Sequence, residues 1–485
     1  MNPILLKVKD ELTLLKDTII KNQKEEYNNL ICIAQKLLNE SYNNNFPLNT
    51  RSSIQDIVFN EKIIEEYSVF IRERWMEKVF YHTYKLYKSP EYGQVKTTLT
   101  GRRIDYEYER TLEPTELEKK IHISYDGYES FSMLFANAMS TLSAIYAIIT
   151  KLFTHNTDEI KGLAMCGYYE SIALSVEYRK FIEMDYIIND KDSFEYDINN
   201  YNFFIIEPVR TTFELNQTDV EKFLNDLINK SNDSLKVIVF DSSLLGQYFD
   251  IESILSKLKK KKNLIIINFR SALKLDQQGM EFSNCGLFSL YLEENLIKIR
   301  DYIQNYMTQY RKIAGTGLSF FEVCLLDNDV CLSDGKYASK ILNNNADFFA
   351  GLLKTSKEIV NKVTYPYFEI QEKMFKTPYL YIKLARDKRE EYEKLYSIIK
   401  YYCEKFNLNL SSRNSFGFRN ISLEYFMNLN DKSLVLKIAV GSLKGMKFHL
   451  IMKLLNEIMS ISREDFDNLY ITTVDREYNN ESYTQ

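Results

Sequence analysis

The chain has 485 residues, 45% of them hydrophobic and 27% charged, with a formal net charge of -5. That length allows two or three domains with a large buried core, and the mildly acidic balance excludes a general attraction to nucleic acid or anionic lipid. The six cysteines contain no CxxC pair and the four histidines no metal-ligand spacing, so reduced thiols in a cytoplasmic protein are expected, and a zinc site or a serine–histidine–aspartate triad is not.

Residues 1–7 carry no signal-peptide pattern, and no apolar run reaches membrane-spanning length. Residues 1–90 read as helices: Ile4, Leu5, Val8, Leu12 and Leu15, then Ile31, Ile33, Leu37 and Leu38, recur at helical spacing. Residues 87–115 are polar, rich in Arg and Tyr, and read as an extended arm. Helix and strand then alternate. A helix is expected over 137–153, with Ala138, Leu142, Ile145, Ile149 and Leu152 on one stripe. A strand follows at 163–166, then a helix, then a strand at 203–206 that ends in Glu207-Pro208. A helix at 220–228 precedes a strand at 235–241, and a helix at 251–258 precedes a strand leading to Lys274. The run Lys259 to Lys262 reads as a solvated helix end favoured by the dipole rather than as a nucleic-acid patch. A further strand covers 285–292, a long helix 336–354, and strands 379–383 and 434–440 belong to a last unit.

This rhythm implies an α/β protein with a mostly parallel central sheet and helices on both faces. Three regions are expected: a helical N-terminal region with its arm over 1–115, a large α/β domain over 116–335, and a smaller C-terminal α+β domain over 336–485.

Two neighbouring strands end in reactive groups. One closes on Asp241, and the next runs into a short polar turn with Ser271 and Lys274. At the C-terminal ends of strands in an open α/β sheet, both side chains face the crevice where ligands bind. An amine that can form an imine, beside an acid that can keep a pyridine nitrogen protonated, is the pair a pyridoxal phosphate (PLP) enzyme needs.

Five short stretches follow one another along the chain: Tyr108-Glu-Arg-Thr-Leu-Glu-Pro-Thr115, Asn137-Ala-Met, Gly167-Tyr-Tyr-Glu-Ser171, Asp241-Ser-Ser243 and Ser271-Ala-Leu-Lys274. Over residues 105–445 they resemble the fold-type I PLP enzymes of the cysteine/methionine metabolism family, the cystathionine and methionine γ-lyases and their relatives. The resemblance implies that Lys274 carries the cofactor as an internal aldimine and that Asp241, with Ser243 beside it, holds the ring nitrogen. It implies that Ala138 and Met139 bind the phosphate through their amides at a helix N-terminus, where Asn137 could equally be a plain cap. Ser271 adds a phosphate hydrogen bond. Tyr168 stacks on the ring, a role Tyr169 could take instead. Tyr108 and Arg110 reach the phosphate of a neighbouring subunit, so a homodimer or tetramer with shared sites is implied.

Arg419 and Lys437 lie where the family binds the substrate carboxylate, with Lys437 in the place of the usual arginine. Glu113, Ala138 and Leu273 stand where the family has asparagine, glycine and threonine, and Arg210 or Thr211 occupies the segment of a missing asparagine. The implied chemistry is loss of the α-proton of an amino acid, with Lys274 moving the proton, and elimination or replacement at Cβ or Cγ. Transamination on the same scaffold is the neighbouring alternative. A cofactor-free homodimer used for binding or regulation is the alternative from another class.

Overall fold

The computed structural model describes residues 54–154, 159–189, 195–332, 335–352, 358–366, 375–405, 408, 410–427 and 432–481. The helices expected within residues 1–53 lie outside the described residues. In chain order the elements are α1 (Ile54–Thr83), β1 (Lys96–Thr97), β2 (Arg103–Ile104), α2 (Thr115–Ile121), β3 (Tyr128–Phe135), α3 (Ala138–Phe153), β4 (Ile160–Met165), α4 (Tyr169–Glu177), β5 (Ile182–Tyr186), β6 (Phe203–Ile206), α5 (Val220–Lys230), β7 (Lys236–Asp241), α6 (Ile251–Leu258), β8 (Leu264–Ser271), β9 (Gly286–Glu293), α7 (Ile297–Ala314) and α8 (Phe320–Leu326). They continue with α9 (Lys336–Ala350), β10 (Val360–Thr364), β11 (Leu380–Leu384), α10 (Arg389–Lys405), β12 (Ser422–Met427), β13 (Leu434–Ala439), α11 (Met446–Ile458) and α12 (Arg463–Glu481).

The described residues form two compact units, one within 73–338 and one made of 54–72 together with those of 339–481. The first is built on a seven-stranded sheet in the order β3-β9-β8-β7-β6-β4-β5. Strands β4 to β8 pair in parallel. Strand β9 runs antiparallel to both β3 and β8. The reason is in the connection: β8 and β9 are joined without a crossover helix, so the chain turns back instead of crossing over.

The inner strands are apolar on both faces because both are covered. Val237, Val239, Ile265 and Ile267 meet Leu142, Ile145 and Ile149 of α3 and Ile303 and Met307 of α7. The alternate residues turn to the other face, where the Phe204 ring lies 5.0 Å from Phe223 of α5 and Phe240 lies 5.4 Å from Phe249. Helix starts are capped by the residues expected for the task. Asn137 accepts the Ser140 N–H at α3, Asp219 that of Lys222 at α5, and Asp250 that of Ser253 at α6.

The polar arm after α1 is anchored by one buried carboxylate. Asp327 accepts Thr98 Oγ1 at 2.6 Å and Thr100 Oγ1 at 2.5 Å on one oxygen, and Arg102 Nε at 3.1 Å on the other. The second unit holds a four-stranded antiparallel sheet, β10-β11-β13-β12. Its core joins Leu380, Ile382, Leu436 and Ile438 to Leu395 and Ile399 of α10 and Ile451 and Leu455 of α11. Among the described residues, no helix is long and apolar enough to cross a membrane.

Candidate active site

The C-terminal ends of β4, β6, β7 and β8 gather the polar residues of the first unit. Asp241 is the last residue of β7 and Ser271 the last of β8. Between them stands Ser243, whose N–H donates to Asp241 Oδ1 at 2.9 Å and whose Oγ accepts the Ser271 N–H at 2.9 Å. Lys274 follows as a half-buried side chain. Its ammonium and the Asp241 carboxylate feel one another's charge. Burial holds Lys274 below the usual lysine range, against the pull of Asp241, Glu281 and Glu170. Burial raises Asp241, and the Ser243 hydrogen bonds and Lys274 bring it part of the way back. The amine and the acid picked out in the sequence therefore share one polar cluster.

Helix α3 opens onto the same place. Gly286, the first residue of β9, is paired with Ser271. A Cβ on Gly286 would run into the Asn137 carbonyl and the Thr141 hydroxyl, so glycine is what lets the helix start sit down on the strand beside Ser271. The Asn137 cap takes the Ser140 N–H. The Ala138 and Met139 N–H groups, in the first turn, have no acceptor within the helix. They and the dipole of a 16-residue helix make this end favourable for negative charge. Tyr168 lies at the other side, half-buried, raised by burial and by Glu170, and within electrostatic reach of Asp241. Its hydroxyl donates to Glu170 Oε2 at 2.9 Å, while the Tyr169 hydroxyl donates to Glu170 Oε1 at 3.0 Å. Tyr169 is largely exposed, which favours Tyr168 for a stacking role. A buried acid, an amine, an aromatic ring and a helix start thus stand together, and the chemistry of this set fits PLP.

Two carboxylates of the cluster escape the motif comparison. Glu170 is one. Glu207, at the end of β6, is the other. Glu207 is buried and accepts N–H groups from Gly167 (3.0 Å), Thr211 (3.0 Å) and Tyr168 (3.1 Å). Burial and the negative charge of Asp241 push it up to about 7 in spite of those donors. The signal was available: an all-apolar strand closing on an acid is the pattern that singled out Asp241.

This has a sign for stability. Between the ordinary glutamate range and pH 7 the folded chain keeps a proton that the unfolded chain has released, so folding weakens as pH rises through that window. The contribution is about 3 kcal/mol, fully present below the unfolded value and lost above the folded one. Asp241, also raised, acts in the same direction. In Glu207→Gln, urea midpoints are expected to fall less between acidic and mildly alkaline buffer than in the parent chain. An equal fall in both proteins would refute this account.

Tyr108 and Arg110 are placed elsewhere. Tyr108 is 56% exposed, and the Arg110 guanidinium lies over its ring at 5.8 Å. Their stretch is held by Glu109, which accepts the Phe320 N–H and pairs with Lys88. Neither residue has a hydrogen bond or ion pair to the Lys274 cluster of its own chain. In the second unit, Lys437 sits on β13 opposite Glu424, with its ammonium 4.5 Å from the Tyr379 ring and 5.6 Å from Phe416. Arg419 is buried, and its carbonyl lies where a Cβ on Gly441 would fall.

No protein-family description matches the chain, and no curated protein does. Solved structures do. Cystathionine gamma synthase from Xanthomonas oryzae pv. oryzae, solved with aminoacrylate and cysteine, is 12% identical, with 77% of this chain and 91% of that one covered at a TM-score of 0.51. The metB structure from Corynebacterium glutamicum is 15% identical, covering 79% and 98% at 0.51. A putative O-acetylhomoserine (thiol)-lyase from Campylobacter jejuni, carrying a pyridoxyl-lysine monophosphate, is 15% identical, covering 72% and 87% at 0.50. At such identities the likeness is one of fold: the chain has the fold-type I architecture, a central seven-stranded sheet with helices on both faces and a smaller antiparallel sheet after it.

Proposed function

We propose that the chain is a PLP-dependent enzyme that acts on an amino acid by elimination or replacement at Cβ or Cγ. The observation that carries the reading is the placement of Asp241 at the end of β7 and of Lys274 in the turn after the neighbouring β8, with Ser243 hydrogen-bonded to both strand ends and the start of α3 seated beside them. The fold-type I architecture and the pyridoxyl-lysine of the Campylobacter jejuni structure support it. Bound there, the cofactor supplies an electron sink for the charge left when an amino acid loses its α-proton.

The chain's own residues have distinct tasks. Lys274 Nζ holds the cofactor and afterwards moves the α-proton. Burial lowers its basicity, so more of the amine is unprotonated, and able to accept a proton, than at an exposed lysine. Asp241 keeps the ring nitrogen charged, and Ser243 aims Asp241 through the hydrogen bond from its N–H. Ala138, Met139 and Ser271 hold the phosphate, and Tyr168 covers the ring. Of the two cations assigned to the substrate carboxylate, Arg419 is the better fit. Its planar fork suits a carboxylate, while the Lys437 ammonium is engaged by aromatic rings.

Borohydride reduction of the cofactor-loaded protein followed by peptide mapping should place the label on Lys274. Label on another lysine, or on none, would sink the assignment. Elimination is expected to release the leaving group together with both ammonia and a keto acid, and replacement to release the leaving group and a new amino acid. A keto acid with the amino group retained on the cofactor would point to transamination instead.

The exposed, stacked Tyr108–Arg110 pair supports a second chain as the owner of the phosphate they serve. Mixing a Lys274→Ala chain with an Arg110→Ala chain is then expected to restore up to about a quarter of parental activity, since one site of a mixed dimer regains both residues. No recovery on mixing would contradict sharing.

A further inference from the structure

Lys274 is borne on a turn whose interior is polar and buried. Arg270, one residue before the end of β8, reaches past the lysine to Asp276. Its Nε lies 3.1 Å from each carboxylate oxygen and its Nη2 2.8 Å from Oδ1. The two residues are 8% and 3% exposed. Asp276 also accepts Gln247 Nε2 at 3.2 Å, and its carbonyl accepts the Leu332 N–H at 2.7 Å. Next to it, the buried Gln277 amide donates to the carbonyls of Ala272 (2.9 Å) and Ser283 (2.6 Å) and accepts the Ser283 N–H at 3.1 Å. The turn is thus tied both before and after Lys274.

Backbone conformation points the same way. Gln278 and Glu281 adopt left-handed conformations, with φ of 50° and 46°. Each is unfavourable for a non-glycine residue and persists where the surroundings over-determine it. A buried ion pair adds little net stability over apolar residues of the same size. What a two-toothed contact adds is direction, because it fixes both distance and angle.

We propose that the Arg270–Asp276 pair is a positioning device for Lys274, holding the turn so that the amine stays at the ends of β7 and β8. The inference rests on Lys274 being the cofactor-bearing lysine, but its test does not need the cofactor. Asp241, Glu281 and Glu170 act on the amine through their charge, and none of the three belongs to the clamp. A change in the amine after the clamp is cut therefore reports its position and solvation.

The test is competitive acetylation of the full-length, cofactor-free chain across a pH series, with Lys274 read by peptide mass spectrometry. The variant is Arg270→Met combined with Asp276→Leu, which removes both charges and leaves neither unpaired. The expected result is a rise of the Lys274 labelling midpoint by about one pH unit, a tenfold change in basicity, as the loosened turn lets water reach the amine. A purely structural pair would lower the melting temperature and leave the midpoint where it was. An unchanged midpoint in the folded double variant overturns the proposal. If the double variant does not fold, Gln247→Leu is read in the same way: a smaller shift in the same direction supports the clamp, and no shift overturns it. Failure of the cofactor reading looks different, since borohydride would then leave Lys274 unlabelled while the acetylation midpoint still responded to the double substitution.

Discussion

Replacing Lys274 with alanine is expected to reduce turnover by on the order of 10³-fold or more and to abolish the borohydride-fixed label. Two losses combine. The variant has no amine with which to hold the cofactor covalently, and no group at that point to carry the α-proton. Folding should be little affected, because Lys274 is half-buried and its amine is desolvated at a cost that alanine does not incur. The unfolding midpoint of Lys274→Ala is therefore expected at or above that of the parent. Added small primary amines should return part of the proton-transfer rate, while label incorporation stays absent. Turnover retained within tenfold of the parent would remove Lys274 from the chemistry.

Gly286→Ala is expected to have the largest effect on stability of the single glycine changes at the site, about 3 kcal/mol. The added methyl meets backbone, the Asn137 carbonyl, as well as the Thr141 hydroxyl. Neither can swing away, since Asn137 is the cap of α3 and Gly286 is locked between β3 and β8. The start of α3 must then lift from Ser271, and phosphate affinity should fall with it. Denaturant midpoints and a titration with pyridoxal phosphate read the two effects separately. Gly317→Ala is the control: a Cβ there makes ordinary contact with Arg311, and both measures should be near parental. A Gly286→Ala protein as stable as this control, with unaltered cofactor affinity, would mean that the helix start does not depend on that close approach.

Much of the first unit was legible because its strands are buried on both sides. Phe203–Ile206, Val237–Phe240 and Leu264–Ile267 read as unbroken apolar runs, and the acids and amine beyond them stood out against them. Strand β3 was not legible. Its Tyr128–Phe135 sequence carries Ser130 and Ser132, which read as surface residues. In the structure, Ser132 is buried against Ser289 of β9 at 2.8 Å, and both serines flank His122. The antiparallel course of β9 could have been inferred from the missing crossover helix. Glu207 was passed over for a different reason. The family's asparagine is missing from this segment, so the resemblance gives the glutamate no role, although it closes an apolar strand as Asp241 does. In the second unit, β10, β12 and the helices α10 and α11 went unread, because their apolar residues alternate with Lys, Glu and Asn at short range and their burial depends on partners distant in sequence.

Strand β3 emerges from the ribosome well before β9, its neighbour in the sheet, with about 150 residues of chain between Phe135 and Gly286. At ordinary translation rates that gap is roughly 10–30 s. Throughout it the nascent chain displays Phe131, Met133 and Phe135 with no β9 to pair them. The wall of the anion cradle is completed only when Gly286 arrives beneath Asn137. A chain stalled before that point carries an unpaired β8 edge, open to pairing with another chain.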